Sequence, residues 1–399
     1  MTVLLNLLGI VLIFAICVLL SWNRKAIKWK NIAVMLGAEF IIAFIIVKVP
    51  LGQKIVTLLS DGITAVVNCG NEGLSFVFGD LMGPNVYVFA VQSLGNIIFV
   101  SALVSALFYL GVIGFVVKWI GKAVGLVTGT TEVETFVAVA NMFLGQTESP
   151  VLVAKYLPKL TESEIMVVLI SGMGSMSASI LGGYAALGIP MSNLLIASAL
   201  VPIGSIMVSK VIYPQTEEVE QVSEVKMDNH GNNSNVIDAL SDGCNTGIQM
   251  VIAISASLVG FIGLMGVVNL VLGFVGLSLD QIFGYVFAPF GFLFGFSGSD
   301  IMTAGTLLGQ KLILNEFVAF GNLVPMLESL DPTTALVTTI SLCGFANISS
   351  MGICIGGIGV LCPEKRGVLS KLILKATLGG VFVSINSALL VSIVSHFPF

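Results

Sequence analysis

The sequence predicts an all-α polytopic membrane protein, with about eight transmembrane helices plus two re-entrant hairpins in inverted repeats. Three observations carry this prediction. First, only 10% of the 399 residues are charged and mean hydropathy is +1.04. A soluble domain carries about 25% charged residues, so this chain has too few charges to cover a water-facing surface. Second, the apolar runs are long and rarely interrupted. Lipid admits only helices or closed barrels, and the short alternating strands of a barrel are missing from the sequence pattern. Third, polar motifs interrupt apolar segments at matching places in the two halves.

The elements follow in order. Residues 3–20 are apolar, with no basic n-region and no small-residue cleavage site, and are expected to stay as a transmembrane helix. Trp22, Arg24, Lys25, Lys28, Trp29 and Lys30 then mark a cytoplasmic membrane edge, which puts the N-terminus outside. A second helix, 32–49, returns outward. Residues 50–93 mix Gly, Asn and Asp and suggest interfacial helices. A helix over 94–117 ends at Lys118 and Lys122, inside again.

Residues 132–158 are apolar but too short to cross twice, and basic residues flank both ends. The segment reads as a re-entrant hairpin whose polar tip holds Asn141, Gln146, Thr147 and Glu148. The next helix, 165–187, goes out and carries a Gly/Ser run at 171–179 that favours a break or a close helix contact. Residues 194–211 go in, ending near Lys210. A polar loop over 214–236 holds Glu217, Glu218, Glu220, Asp228, Asn232 and Asn233 and reads as a solvated linker.

The second half repeats the plan. Residues 246–276 go out. A second hairpin is expected in 281–328, entered from outside, with Gly295 to Asp300 at its turn and Glu316 within it. A helix over 333–361 goes in, interrupted at 344–350. Glu364, Lys365, Arg366, Lys371 and Lys375 mark the inside, and a last helix ends outside at Phe399. In each half a hairpin with a carboxylate precedes a broken helix, and the two are approached from opposite faces. That order predicts an inverted-topology repeat, in which substrate and ion sit near the midplane.

Several function classes drop out. The two histidines, His230 and His396, lie in a polar loop and a tail, so no His-based dyad or metal cluster forms. The six cysteines are scattered without CxxC spacing and read as packing residues. Gly305 to Lys311 has the wrong spacing for a phosphate loop, and no Ser or Thr follows the lysine. No nucleic-acid motif appears. The chain reads as a transporter rather than an enzyme or channel, with no organic cofactor. An ionisable group at the centre of a membrane helix costs about 2.5–3.5 kcal/mol or more, so Glu148 and Glu316 read as functional. A carboxylate, an Asn and a Ser suit a neutral, hydroxyl-rich solute, since together they supply charge-assisted acceptors and neutral donors.

Gly-Gln-Thr-Glu-Ser-Pro at 145–150, Asn-Glu-Phe-Val-Ala-Phe at 315–320 and Cys-Gly-Phe-Ala-Asn-Ile-Ser-Ser at 343–350 resemble the concentrative nucleoside transporter family, over roughly residues 1–396. The resemblance implies cation-coupled nucleoside import across the inner membrane by a homotrimer. Each subunit would have a scaffold domain and a transport domain that moves elevator-fashion. It places Gln146, Thr147 and Glu148 near the nucleobase. Glu316, Asn347 and Ser350 would hold the ribose hydroxyls, and Phe345 and Ile180 would make apolar base contacts. Asn141 and Ser175 would be sodium ligands, with backbone carbonyls from Leu144, Ser175 and Met176. Many members carry Pro-Trp where this chain is expected to have its second hairpin tip, Ser297-Gly298. Coupling to a proton through Glu148 or Glu316 is the alternative to sodium. The implied domains are N-terminal scaffold helices with interfacial helices at 1–117 and a first transport repeat at 118–212. A cytoplasmic loop with an interfacial helix at 213–245, a scaffold helix at 246–280 and a second transport repeat at 281–399 complete them.

Overall fold

Long apolar runs with few breakers give helices nearly throughout, and each run stops where Gly, Pro or a capping side chain stops it. The computed structural model describes residues 1–83, 86–219, 222, 225, 229–230 and 233–397. The expected loop residues Glu220, Asp228 and Asn232, and the expected end at Phe399, lie outside the described residues. All regular structure among the described residues is helical.

The helices are α1 (Thr2–Leu20), α2 (Trp29–Lys48), α3 (Pro50–Phe78), α4 (Phe89–Gln92), α5 (Gly95–Tyr109), α6 (Val112–Thr128), α7 (Glu132–Ala140), α8 (Ser149–Leu152) and α9 (Glu162–Gly174). After them come α10 (Ala178–Leu187), α11 (Met191–Ile212), α12 (Val236–Gly273), α13 (Leu279–Leu293), α14 (Ser299–Ile313), α15 (Glu316–Leu323), α16 (Pro332–Leu342), α17 (Ile348–Leu361) and α18 (Arg366–Ser395). Seven helical stretches among the described residues are long and apolar enough to cross a bilayer: α1, α2, α4–α5, α9–α10, α11, α12 and the stretch ending in α18. The α16–α17 stretch is split by its break, and α17 is a shorter apolar helix.

Three expectations need correction. The helix expected over 94–117 is two helices, because Gly111 at φ +77° turns the chain between α5 and α6. A lone glycine inside an apolar run gives little warning of that. No separate helix lies in 213–235 among the described residues; α12 instead starts at Val236 under the Asn235 cap and runs 38 residues. The third correction concerns the second hairpin. The turn at Gly295 to Gly298 joins α13 to α14 at the surface near the start of the chain. A Cβ on Gly295 would stand 2.2 Å from Thr2, and Ser392 donates to the Phe294 carbonyl nearby. The hairpin carrying Glu316 is α14–α15, and its tip is Leu314-Asn315. Ser297-Gly298 is therefore not the tip that faces Asn347.

With that correction the repeat grows. The order α5, α6, α7–α8, α9–α10, α11 recurs as α12, α13, α14–α15, α16–α17, α18. The long helices α5 and α12 pack on each other, and α9, α11, α16 and α18 form a second group to which α1 and α2 attach. The two broken helices run in opposite directions. Trp22 stacks on Tyr213, and Lys371 bridges both Trp22 and Glu162. Lys365 reaches the Leu160 carbonyl. The residues expected at the cytoplasmic edge thus gather at one end of the bundle, where α9 begins and α17 finishes.

Candidate functional site

Two breaks and two hairpin tips meet at the centre of the bundle. Helix α9 is nucleated by a capping box, with Thr161 and Glu164 bonding reciprocally. It unwinds at Ser175 to Ser177, where the backbone becomes extended, and resumes as α10. Helix α16 begins under the Asp331 cap and unwinds at Cys343. The Phe345 N–H donates to the Ser175 carbonyl at 3.2 Å, which ties one break to the other. Gly344 permits this approach. Its φ is +103°, and a Cβ there would stand 2.7 Å from the Gly174 carbonyl oxygen.

The first tip, between α7 and α8, folds onto the same place. The Phe143 carbonyl accepts from Ala178 N–H at 2.9 Å. Gln146 lies against Gly172, and Gly145, at φ +90°, lies against Ser177 and Phe345. The Gln146 amide donates to Ser350 Oγ at 3.3 Å and accepts from Cys354 Sγ at 3.4 Å. A Cβ on Gly357 would meet Thr147 at 2.9 Å. Ser350, Cys354 and Gly357 are spaced i, i+4, i+7, so one face of α17 runs along the tip. Glu148 and Thr147 are half-buried, with Glu148 opening the return limb at the α8 N-terminus.

The second tip supplies Glu316. Asn315 caps α15 through a bond from Val318 N–H, which fixes Glu316 in the first turn, where the helix dipole favours an anion. Its carboxylate accepts from Tyr184 OH at 2.8 Å and from Asn347 Nδ2 at 3.1 Å. Asn347 is itself the α17 cap, accepting from Ser350 N–H and Ser349 Oγ. The predicted set Gln146, Glu316, Asn347 and Ser350 is therefore one hydrogen-bonded network, and Thr147 and Phe345 adjoin it. Ile180 sits buried in the first turn of α10, one turn before Tyr184.

The predicted ion ligands lie beside this network. Asn141 ends α7 and donates to Ser171 Oγ on α9 at 2.9 Å. Its own Oδ1 is buried and has no hydrogen-bond partner among the described residues, and neither has Ser177 Oγ. Among the described residues, Ser175 Oγ bonds only the Gly172 carbonyl of its own helix. Leu144 and Met176 are buried on the two facing segments. Buried polar oxygens without partners are rare, and a hard cation takes oxygen ligands.

Sequence reasoning missed Tyr184, Ser171, Cys354 and Lys311. The first three carry no motif and read as packing residues. Lys311 lies inside the core, where its ammonium is buried. Among the described residues no cluster of three or more His, Cys, Asp and Glu could hold a metal. A cavity of about 690 Å³ opens elsewhere, at the basic end, between Lys28, Lys122, Lys210, Glu132 and Glu134.

Comparison with known proteins bears on the fold and the family. Residues 193–392 match the family model described as the Na+ dependent nucleoside transporter C-terminus, and residues 8–81 match its N-terminus. Residues 90–191 match a model described as Gate, nucleoside recognition. The chain is 34% identical to "Nucleoside permease NupC" of Helicobacter pylori, over 96% of each chain. It is 33% identical to "Sodium/nucleoside cotransporter 1" of the mouse, Mus musculus, over 92% of this chain and 60% of that one. Among solved structures it resembles CNTnw in an inward-facing substrate-bound state, with a TM-score of 0.95 and 35% identity over 100% of this chain and 99% of that one. A CNTnw variant in an outward-facing state gives a TM-score of 0.94 and 34% identity, over 99% of each chain.

Proposed function

The chain belongs to the Na+ dependent, or concentrative, nucleoside transporter family, and from that premise we propose sodium-coupled import of nucleosides across the cytoplasmic membrane. The observation that carries the reading is the Glu316–Asn347–Ser350–Gln146 network, buried where two hairpin tips meet two helix breaks. Glu316 and Asn347 hold the ribose hydroxyls, exchanging their mutual hydrogen bond for bonds to the cargo. Gln146 and Thr147 address the edge of the base, with Glu148 behind them, while Phe345 and Ile180 supply apolar surface. A site built around hydroxyls discriminates sharply against an analogue lacking them, because its own buried groups then lose partners.

Sodium sits between Asn141, Ser175 and the backbone of Leu144 and Met176. Ion binding satisfies the Asn141 oxygen and draws the first tip onto the α9–α10 break, shaping the Gln146 wall of the nucleoside site. Binding of one therefore favours the other, and the coupling is reciprocal.

Alternating access follows an elevator scheme, with the chain acting as a homotrimer. The packing favours a different boundary from the one the sequence implied. We assign α5 and α12 to the scaffold, since they pair with each other. We assign α1 and α2 to the moving unit, since they pack on α11 and α18. The basic end faces the cytoplasm and both termini lie outside. Solved structures of a similar protein in inward- and outward-facing states support such a cycle.

The test is labelled uridine uptake into proteoliposomes with an imposed sodium gradient. Glu316→Gln and Asn347→Ala should abolish uptake while the protein still inserts. Wild-type uptake from either variant defeats the site assignment. Uptake that ignores sodium and follows an imposed pH gradient selects proton coupling instead.

A further inference from the structure

Lys311 has no part in the mechanism above, yet its ammonium is buried in the core. It lies on α14, three residues before the second tip, and is 1% exposed. Its ammonium donates three hydrogen bonds. Two go to the carbonyls of Ser341 (3.0 Å) and Cys343 (2.8 Å), at the C-terminal end of α16. The third goes to Ser384 Oγ on α18 at 2.7 Å. All three donors of the group are thereby used, in a helix-end field that favours a cation.

The repeat gives this placement its meaning. In the first repeat, Asn141 at the end of α7 faces the C-terminal end of α9, where the ion is assigned. In the second, Lys311 near the end of α14 faces the C-terminal end of α16. The hairpin limb, the broken helix and the carbonyls at its break correspond. The first junction has unpartnered oxygens among the described residues, at Asn141 Oδ1 and Ser177 Oγ, and the second has its carbonyls capped.

We propose that Lys311 is a built-in cation, holding in the second repeat the place that the exchangeable sodium holds in the first. The second hairpin is then locked to its broken helix at all times, and only the first hairpin is gated by an ion. One sodium suffices for each transport cycle because the second is replaced by a side chain. This inference rests on the sodium reading of the first junction.

Sodium activation of uridine uptake tests it, using purified Lys311→Ser and Lys311→Met in proteoliposomes, with folding followed by size exclusion. Serine removes the charge but leaves room and an oxygen ligand; methionine fills the space without either. Lys311→Ser should need at least about tenfold more sodium, and its Hill coefficient should move from near one toward two as a second ion enters. Lys311→Met should fold and stay inactive at every sodium concentration. A Lys311→Ser curve that matches wild type overturns the proposal. So does equal failure of both variants at all sodium concentrations, or failure of the serine variant to fold even in high sodium.

Thermal unfolding in sodium chloride against choline chloride separates this idea from the coupling reading. If wild-type uptake proves indifferent to sodium, the coupling reading fails. A larger sodium stabilisation of Lys311→Ser than of wild type would still establish a vacated cation site, and an equal one would overturn it.

Discussion

The two helix breaks occupy corresponding places in the repeat but solve the same electrostatic problem in different ways. At the α16–α17 break every polar group described above has a partner. Lys311 caps the α16 carbonyls, and Asn347 caps α17 while donating to Glu316. At the α9–α10 break, Ser177 Oγ and the facing Asn141 Oδ1 are buried and unpartnered among the described residues. An unsatisfied buried polar group costs about 1–3 kcal/mol, so the first break carries a cost that the second does not. A hydrogen-bond donor or a cation at the first break would recover that cost. Near-symmetry of the backbone thus coexists with a sharp asymmetry of chemistry, one junction finished and the other waiting.

The strongest way to break this comparison is to finish the first junction artificially. Asn141→Leu keeps the branched shape of the side chain, at a somewhat larger volume, and removes the unpaired oxygen. Sodium-dependent uridine uptake should fall by at least about a hundredfold, equivalent to about 3 kcal/mol of lost ion and substrate binding. The protein itself should be no less stable in sodium-free buffer, because a costly buried group has gone. A marked loss of stability without sodium would show that Asn141 is a structural tie to Ser171 instead.

Much of this asymmetry was out of reach of the sequence. The breaks themselves were legible, since Gly and Ser at 171–179 and the interruption at 344–350 cannot sustain a quiet apolar helix. The hairpin at 132–158 was legible from its length and flanking lysines. In 281–328 the Gly-rich stretch from Gly295 to Asp300 marks a turn, and it is one, but it joins α13 to α14. Long-range bonds, from Asn347 and Tyr184 to Glu316, identify Leu314-Asn315 as the tip that faces the breaks. Lys311 shows in the sequence only as part of a rejected phosphate-loop spacing, because local sequence does not reveal that α16 ends against it. Tyr184 sits in a Gly-rich helix and carries no motif, and its role appears only through its bond to a residue 132 positions away.

A second test addresses the contact between the breaks. Gly344→Ala places a side chain on a residue at φ +103°, with its Cβ against the Gly174 carbonyl. The backbone conformation alone costs a non-glycine residue roughly 1–3 kcal/mol, before the clash is counted. Thermal unfolding in detergent should fall, and uptake should fall with it, since Phe345 could no longer reach Ser175. An unchanged melting temperature would mean that the two breaks move independently.

The smallest expected effect concerns the completeness of the second junction. Tyr184 gives Glu316 one of its two side-chain hydrogen bonds, and its ring packs against Phe317 and Phe320 at centroid distances of 4.7 and 4.8 Å. Tyr184→Phe deletes the hydroxyl and keeps the ring. A hydrogen bond to a charged group contributes roughly 1.5–3 kcal/mol, but Asn347 still holds the other carboxylate oxygen, so the lower end applies. Folding should be intact and uridine affinity should drop by roughly tenfold. The sodium activation curve should keep its shape, because the proposed ion site lies at the other junction. If the variant instead altered sodium activation and left uridine affinity alone, Tyr184 would belong to the ion-gated side, and the division between a finished and a waiting junction would be lost.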